Sequence, residues 1–162
     1  MKRASFLTVC ALIVTAAVVV VGAAAQRGTA SPVASPVVEV YKDPSCGCCA
    51  LWVKHLEAAG FTTKVTEMPN AKLAEFKTTH GVPQAARSCH TGVVGGYVLE
   101  GHVPATEVQK LLKDKPAVVG LAVPGMPIGS PGMEVNGMKP AAYDVVSFDK
   151  QGATKVFASY NK

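Results

Sequence analysis

Val37-Val38-Glu39-Val40-Tyr41-Lys42-Asp43-Pro44-Ser45-Cys46-Gly47-Cys48-Cys49 is the stretch that decides the fold. The β-branched run from Val37 to Tyr41 reads as a buried strand, because branched side chains fit a pleated surface, and Asp43-Pro44 ends it in a turn. Sulfur then occupies three of four positions. From Ala50 to Ala59, Leu51, Trp52, His55, Leu56 and Ala59 recur at helical spacing, and Gly60 is the stop. A cysteine cluster therefore sits where a strand turns into a helix.

Downstream, Thr62 to Glu67 is strand-like, and Pro69-Asn70 opens a second helix in which Leu73, Phe76 and Lys77 precede a stop at Gly81. Val82-Pro83 begins a loop into Ser88-Cys89-His90-Thr91-Gly92-Val93-Val94. Gly95-Gly96 separates this run from Tyr97-Val98-Leu99, which predicts a hairpin. Pro104-Ala105-Thr106-Glu107 starts a third helix carrying Val108, Leu111 and Leu112, its proline and acidic residue suiting a helix N-terminus. The expected class is α/β, with the thioredoxin-like order β-α-β-α-β-β-α over residues 37–119. Gly120 to Pro140 is so rich in glycine and proline that no regular element is expected there. Tyr143 to Phe148 and Thr154 to Ser159 flank Asp149-Lys150-Gln151-Gly152 as a terminal hairpin. Residues 120–162 thus read as a Gly/Pro/Met-rich extension with its hairpin, packed on the domain.

Upstream, residues 26–36 are small and polar with two prolines, a linker. Lys2 and Arg3 precede an uncharged run from Ala4 to Ala25 that ends in Ala23-Ala24-Ala25. A basic start, an apolar centre and small residues before the cut describe a signal peptide over 1–25, cleaved after Ala25. The alternative is an uncleaved anchor over 4–25, just long enough to span a bilayer. With the positive charges held inside, both predict an exported, periplasmic chain, and only the anchor would tie it to a membrane. Cys10, inside the apolar run, carries no chemistry.

The 162 residues are 49% hydrophobic and 17% charged, with formal net charge +5. This composition excludes a disordered or collagen-like chain. Loss of Lys2 and Arg3 with the leader lowers the charge to +3. The remaining lysines are scattered among carboxylates, so the basic footprint of a nucleic-acid binder is missing.

The chemistry is concentrated in sulfur. Cys46 and Cys49 have the C-x-x-C spacing, with Cys48 between them. At a helix N-terminus the dipole and free N–H groups favour thiolate, which is both the nucleophile of disulfide exchange and a ligand for soft metals. Three roles stay open: metal ligation, a redox dithiol, and structural bridges. Crowding speaks against the last, since bridges that staple a fold usually close sizeable loops. Cys89 is a fourth sulfur or a small buried residue, and it reaches the cluster if the loop before the third strand faces the first helix. His90 is a ligand or a hydrogen-bonded structural residue, and His102 is a weaker candidate of the same kind. Met126, Met133 and Met138 have no amphipathic period. Thioethers with thiolates select Cu(I), but methionine also fills gaps well. His55, His80 and Met68 read as boundary, helix-end and packing residues.

Several blocks in order resemble a known family: Asp43-Pro44-Ser45-Cys46-Gly47-Cys48-Cys49, Gly81-Val82-Pro83, Ser88-Cys89-His90-Thr91, Glu100-Gly101-His102-Val103-Pro104, and the Pro-Gly-Met repeats from Gly120 to Glu134. They look like the CopG-type periplasmic copper-resistance proteins, an exported thioredoxin-like family long described as a domain of unknown function. The resemblance runs from about residue 37 to the C-terminus. It implies a thioredoxin-like fold, a role in copper tolerance, and Cu(I) held by Cys46, Cys48, Cys49 and Cys89, as one ion or several bridged by sulfur. His90, His102, Met126 and Met133 match in context as further candidate ligands. The expected partners are copper ions and other periplasmic copper-handling proteins. Copper redox cycling is an extension of this reading. The alternative is a periplasmic thiol–disulfide oxidoreductase, with Cys46 as nucleophile and Cys49 as resolving thiol.

Overall fold

The computed structural model describes residues 35–162. The expected leader over 1–25, and all but the last two residues of the expected linker over 26–36, lie outside the described residues. Within them, no helix is long and apolar enough to cross a membrane.

The described residues form one seven-stranded mixed sheet in the order β2-β1-β3-β4-β5-β6-β7. The strands are β1 (Val37–Lys42), β2 (Thr62–Glu67), β3 (His90–Val94), β4 (Tyr97–Glu100), β5 (Gly120–Ala122), β6 (Tyr143–Phe148) and β7 (Thr154–Tyr160). The helices are α1 (Gly47–Ala58), α2 (Asn70–Thr79) and α3 (Ala105–Asp114), with a short 3-10 turn at Gln84–Ala86. Up to α3 this is the α/β element order expected from the sequence. β1 pairs parallel with β2 and antiparallel with β3, and a second parallel pair joins β4 to β5.

Alternation along the strands sorts side chains to two faces. On one, Trp52 and Leu56 of α1 and Val108 and Leu111 of α3 join Val38, Val40, Leu99, Leu121 and Val145 in the main core. On the other, Val98, Ala122 and Phe148 pack with Val82 and Ala86 of the segment after α2. Neighbours such as Val98 and Leu99 therefore serve opposite cores.

Two expectations are corrected. The stretch from Gly120 to Pro140 does contain a regular element, β5. Three residues suffice because β4 and β6 pair with it on either side, and Gly120 allows the close approach, since a Cβ there would run into the Val98 backbone. Through β5, the hairpin β6–β7 continues the same sheet. The first helix also begins earlier than its apolar spacing indicated. Gly47 is its first residue and Cys46 its N-cap, which puts Cys48 and Cys49 in the first turn.

Candidate metal centre

The turn that carries the sulfurs is set by Asp43. Its carbonyl accepts from the Cys46 N–H (3.1 Å), and its Oδ1 accepts from the Ser45 N–H (2.9 Å) and hydroxyl (2.5 Å). These Ser45 hydrogen bonds hold the Asp43 carboxyl below the usual carboxylate range. One turn into α1, fully buried Trp52 donates its indole N–H to the Val103 carbonyl (2.8 Å), which ties the helix to the loop between β4 and α3.

Cys46 and Cys49 form a disulfide with Cα atoms 5.4 Å apart, while Cys48 and Cys89 are free thiols, each half-buried. Positions three apart at the start of one helix bring these two sulfurs together, and the bridge closes a turn of a few residues rather than a loop that would staple the fold. Cys46 Sγ lies 3.6 Å from Cys48 Sγ, and all four sulfurs fall within 4.8 Å of one another. Cys89 arrives through the sheet register. His90, the residue after it, pairs with Lys42, the last residue of β1, so the entrance to β3 and the exit from β1 are side by side.

Two buried imidazoles face Cys89. Its sulfur lies 3.3 Å from His90 Nδ1 and 3.2 Å from His102 Nε2. His102 Nδ1 is 2.9 Å from the Pro131 carbonyl, which can only accept, so Nδ1 carries the hydrogen and Nε2 turns a lone pair toward the thiol. This is the arrangement by which a backbone carbonyl fixes a ligating tautomer. His90 lies against Trp52, ring centroids 4.3 Å apart, and its Nε2 is buried without a hydrogen-bond partner. Burial drives His90 well below the ordinary histidine range, helped by His102 and Lys77 nearby, and burial lowers His102 as well. Burial also pushes the Cys89 thiol up to about 12, with Cys48 adding to the rise. Both rings are thus neutral and Cys89 is protonated at neutral pH.

The loop after β5 closes over this site. The Gly125 carbonyl accepts from the Ser88 hydroxyl, and Gly132 (φ +84°) sits so close to α1 that a Cβ would meet Trp52 N at 2.7 Å and Cys48 O at 3.0 Å. Met126 and Met133 follow these two glycines directly, so their backbones lie at the rim, Met126 exposed and Met133 half-buried. Met138 lies further along, exposed. Cys46, Cys48, Cys49 and Cys89 therefore converge as one group, and Cys89, His90 and His102 as a second that shares Cys89. His55 is half-buried and accepts the Ala105 N–H at 3.0 Å, so it serves the start of α3 rather than the sulfurs.

Sequence reasoning missed what lies behind Cys89. Glu100, fully buried at the end of β4, receives Lys77 of α2 at 2.5 Å, the Ser88 N–H at 2.6 Å and the Thr91 hydroxyl at 2.7 Å. Lys77 also donates to Thr91 Oγ1 at 3.0 Å. Burial raises the carboxyl and lowers the ammonium, and each opposite charge counters that trend. The available signal was Lys77 itself, four residues after Leu73 and so on the inward face of its helix. In front of this pair, a cleft of about 390 Å³ is lined by Lys77, Ser88, Cys89, Cys46 and Arg87 among others.

A family described as a protein of unknown function, DUF411, matches residues 86–133, the segment holding Cys89, both buried histidines, Met126 and Met133. No curated protein matches the chain. Two solved structures do. "Copper resistance protein copG- Form 2" is 47% identical with a TM-score of 0.70, and "Copper resistance protein copG- Form 1" is 44% identical with a TM-score of 0.71. Each similarity covers 78% of this chain and 98% of the other. The sequence blocks around the cysteines, the α/β architecture and this similarity agree: the chain belongs to the CopG-type copper resistance family.

Proposed function

We propose that this protein is an exported copper-handling protein that takes Cu(I) as cargo on the thiolates of Cys46, Cys48, Cys49 and Cys89. The observation that carries this reading is the convergence of four sulfurs within 4.8 Å. A redox dithiol needs two cysteines, whereas a compact set of soft donors suits a soft, thiophilic ion. The relatives are copper resistance proteins, which narrows the ion to copper. His102 fits as an accessory ligand, because its lone pair already faces Cys89 and its tautomer is set from behind. Met126 and Met133 supply thioethers at the rim.

Loading starts with reduction. An external dithiol gives two electrons and two protons to the Cys46–Cys49 disulfide, becoming a disulfide itself and leaving two thiols that complete the set of four. Each thiol that ligates copper then gives up its proton, so loading is coupled to proton release. The same dithiol can run the redox extension: two thiols reduce two Cu(II) to two Cu(I), forming the disulfide and releasing two protons. Sequestration or transfer of Cu(I) in the periplasm accords with the leader-like residues 1–25.

Anaerobic Cu(I) titration of the reduced protein against a competing chelator tests the reading, with Zn(II) as a second arm. The wild type is expected to retain copper in preference to zinc, and Cys48→Ser to bind it at least about tenfold more weakly, since even partners behind a ligand are worth that much. If the wild type retains none, the copper reading fails. The Cys46–Cys49 disulfide itself favours the second reading, a thiol–disulfide oxidoreductase. That reading stands instead if Cys48→Ser keeps full copper binding while Cys46→Ser abolishes disulfide exchange with a dithiol.

A further inference from the structure

We propose that Glu100 and Lys77 are positioning residues of the sulfur site, holding the Cys89–His90 dipeptide by both shoulders so that the Cys89 sulfur meets the other three. This deepens the copper reading and rests on it. The geometry is specific. The Glu100 carboxylate takes the Ser88 N–H on Oε1 (2.6 Å), just before Cys89, and the Thr91 hydroxyl on Oε2 (2.7 Å), just after His90. Thr91 and Glu100 are direct cross-strand partners, so β3–β4 pairing fixes the second contact. One residue on, the Gly101 N–H donates to the His90 carbonyl (3.0 Å), and Gly101 (φ +71°) packs so closely that a Cβ would meet the Ser88 side chain at 2.6 Å.

Lys77 completes the device. Its ammonium donates to Glu100 Oε1 (2.5 Å) and Thr91 Oγ1 (3.0 Å), so the hydroxyl proton goes to the carboxylate while its lone pair serves the lysine. Every acceptor that grips the dipeptide is thereby oriented. Stability alone does not account for such a pair. Taking two charges out of water is costly, and replacing a buried ion pair by apolar residues of similar volume is often neutral or stabilising. What a hydrophobic replacement cannot do is accept hydrogen bonds from Ser88 and Thr91 at once. A glutamine cannot fully replace the carboxylate either, because its NH₂ would face a donor.

The test compares wild type with the apolar double variant Lys77→Met/Glu100→Leu and with the milder Thr91→Val. Folding is followed by thermal melting. Two site readouts are used: Cu(I) retention of the reduced protein, and the alkylation rate of Cys89 in the copper-free protein, resolved from Cys48 by peptide mass spectrometry. The double variant is expected to stay folded but melt below the wild type, because the Ser88 N–H and the Thr91 hydroxyl lose their acceptor. While folded, it should hold Cu(I) at least about tenfold more weakly, as lost outer partners of metal ligands do. Its Cys89 should also alkylate several-fold faster. Thr91→Val should shift both readouts in the same direction by less. The proposal is overturned if a folded double variant matches wild type in both. Should that variant fail to fold, Thr91→Val decides: wild-type behaviour in both readouts overturns the proposal, and a shift in both supports it. Should wild type hold no copper, the function fails by itself, and the alkylation rates alone decide the positioning role.

Discussion

Along β1, β3 and β4 the buried side chains are apolar from one end to mid-strand, Val38, Val94, Val98, Val40 and Leu99, while at the other end they are Lys42, His90, Thr91 and Glu100. The same three strands run through both ends, so register and pleat are shared and the side chains alone differ. The valine end is held by area removed from water, which is non-directional and tolerates small shifts. The polar end is held by partners at fixed distances, because an unpaired buried donor or carboxylate costs free energy that no packing returns. Nearly all the buried polar side chains lie at that second end, with the four sulfurs in front of them. The molecule therefore keeps stability and chemistry at opposite ends of one sheet. Changes at the first end should unfold it, and changes at the second should alter what it binds while leaving it folded.

Leu99→Ala attacks the apolar end and should have the largest effect. Leu99 is fully buried in the main core beside Trp52, and truncating such a side chain costs about 2–5 kcal/mol. A chemical denaturation midpoint measures the loss, and copper retention should fall only in proportion to the unfolded fraction. A loss of copper binding from a fully folded Leu99→Ala protein would break the separation of the two ends.

Acidification probes the polar end from within. His90, His102 and half-buried His55 all have depressed pKa values in the fold, chiefly through burial. The unfolded chain therefore binds protons more readily than the native one. Their contribution to stability is complete above the unfolded histidine value of about 6.5 and is lost as pH falls through the lower native values. Melting temperatures of the copper-free protein should hold from pH 8 to 7 and decline from pH 6 toward 5. His90→Phe, which removes the most depressed group, should flatten that decline.

Met126→Leu is the smallest perturbation. Met126 is exposed on the loop that closes over the site, so its replacement should change stability by less than about 0.5 kcal/mol. Its thioether is the only soft donor lost, and Cu(I) retention should drop a few-fold in chelator competition. Unchanged retention would remove Met126 from the candidate copper ligands.

Much of this arrangement was visible beforehand because it is local. The strand–turn–cysteine–helix unit is written in consecutive residues, and the helix stops at Gly60 and Gly81 use the positive φ that glycine adopts readily, 90° and 72°. The hairpin turn at Gly95-Gly96 follows the same rule, with both residues at positive φ. β5 was hidden because its identity comes from its neighbours: Gly120-Leu121-Ala122 has no strand signal apart from the two strands that flank it. Lys77 and Glu100 were hidden for a related reason. Glu100 reads as a solvated surface charge, and Lys77, although on the inward face of its helix, shows no partner until Glu100 is brought beside it from 23 residues away.

The sequence by itself determined that sulfur gathers at a strand-to-helix turn and that the following helix packs on the strand, since both follow from residues within a few positions of one another. It also set the α/β element order as far as α3, because hydrophobic period and glycine punctuation act locally. Only the tertiary structure decided that Cys89 joins the cluster, that Cys46 bridges Cys49 rather than another sulfur, and that a buried ion pair stands behind Cys89. Those outcomes depend on which strands lie side by side and in what register, and strand pairing over long sequence separations is settled by the whole sheet.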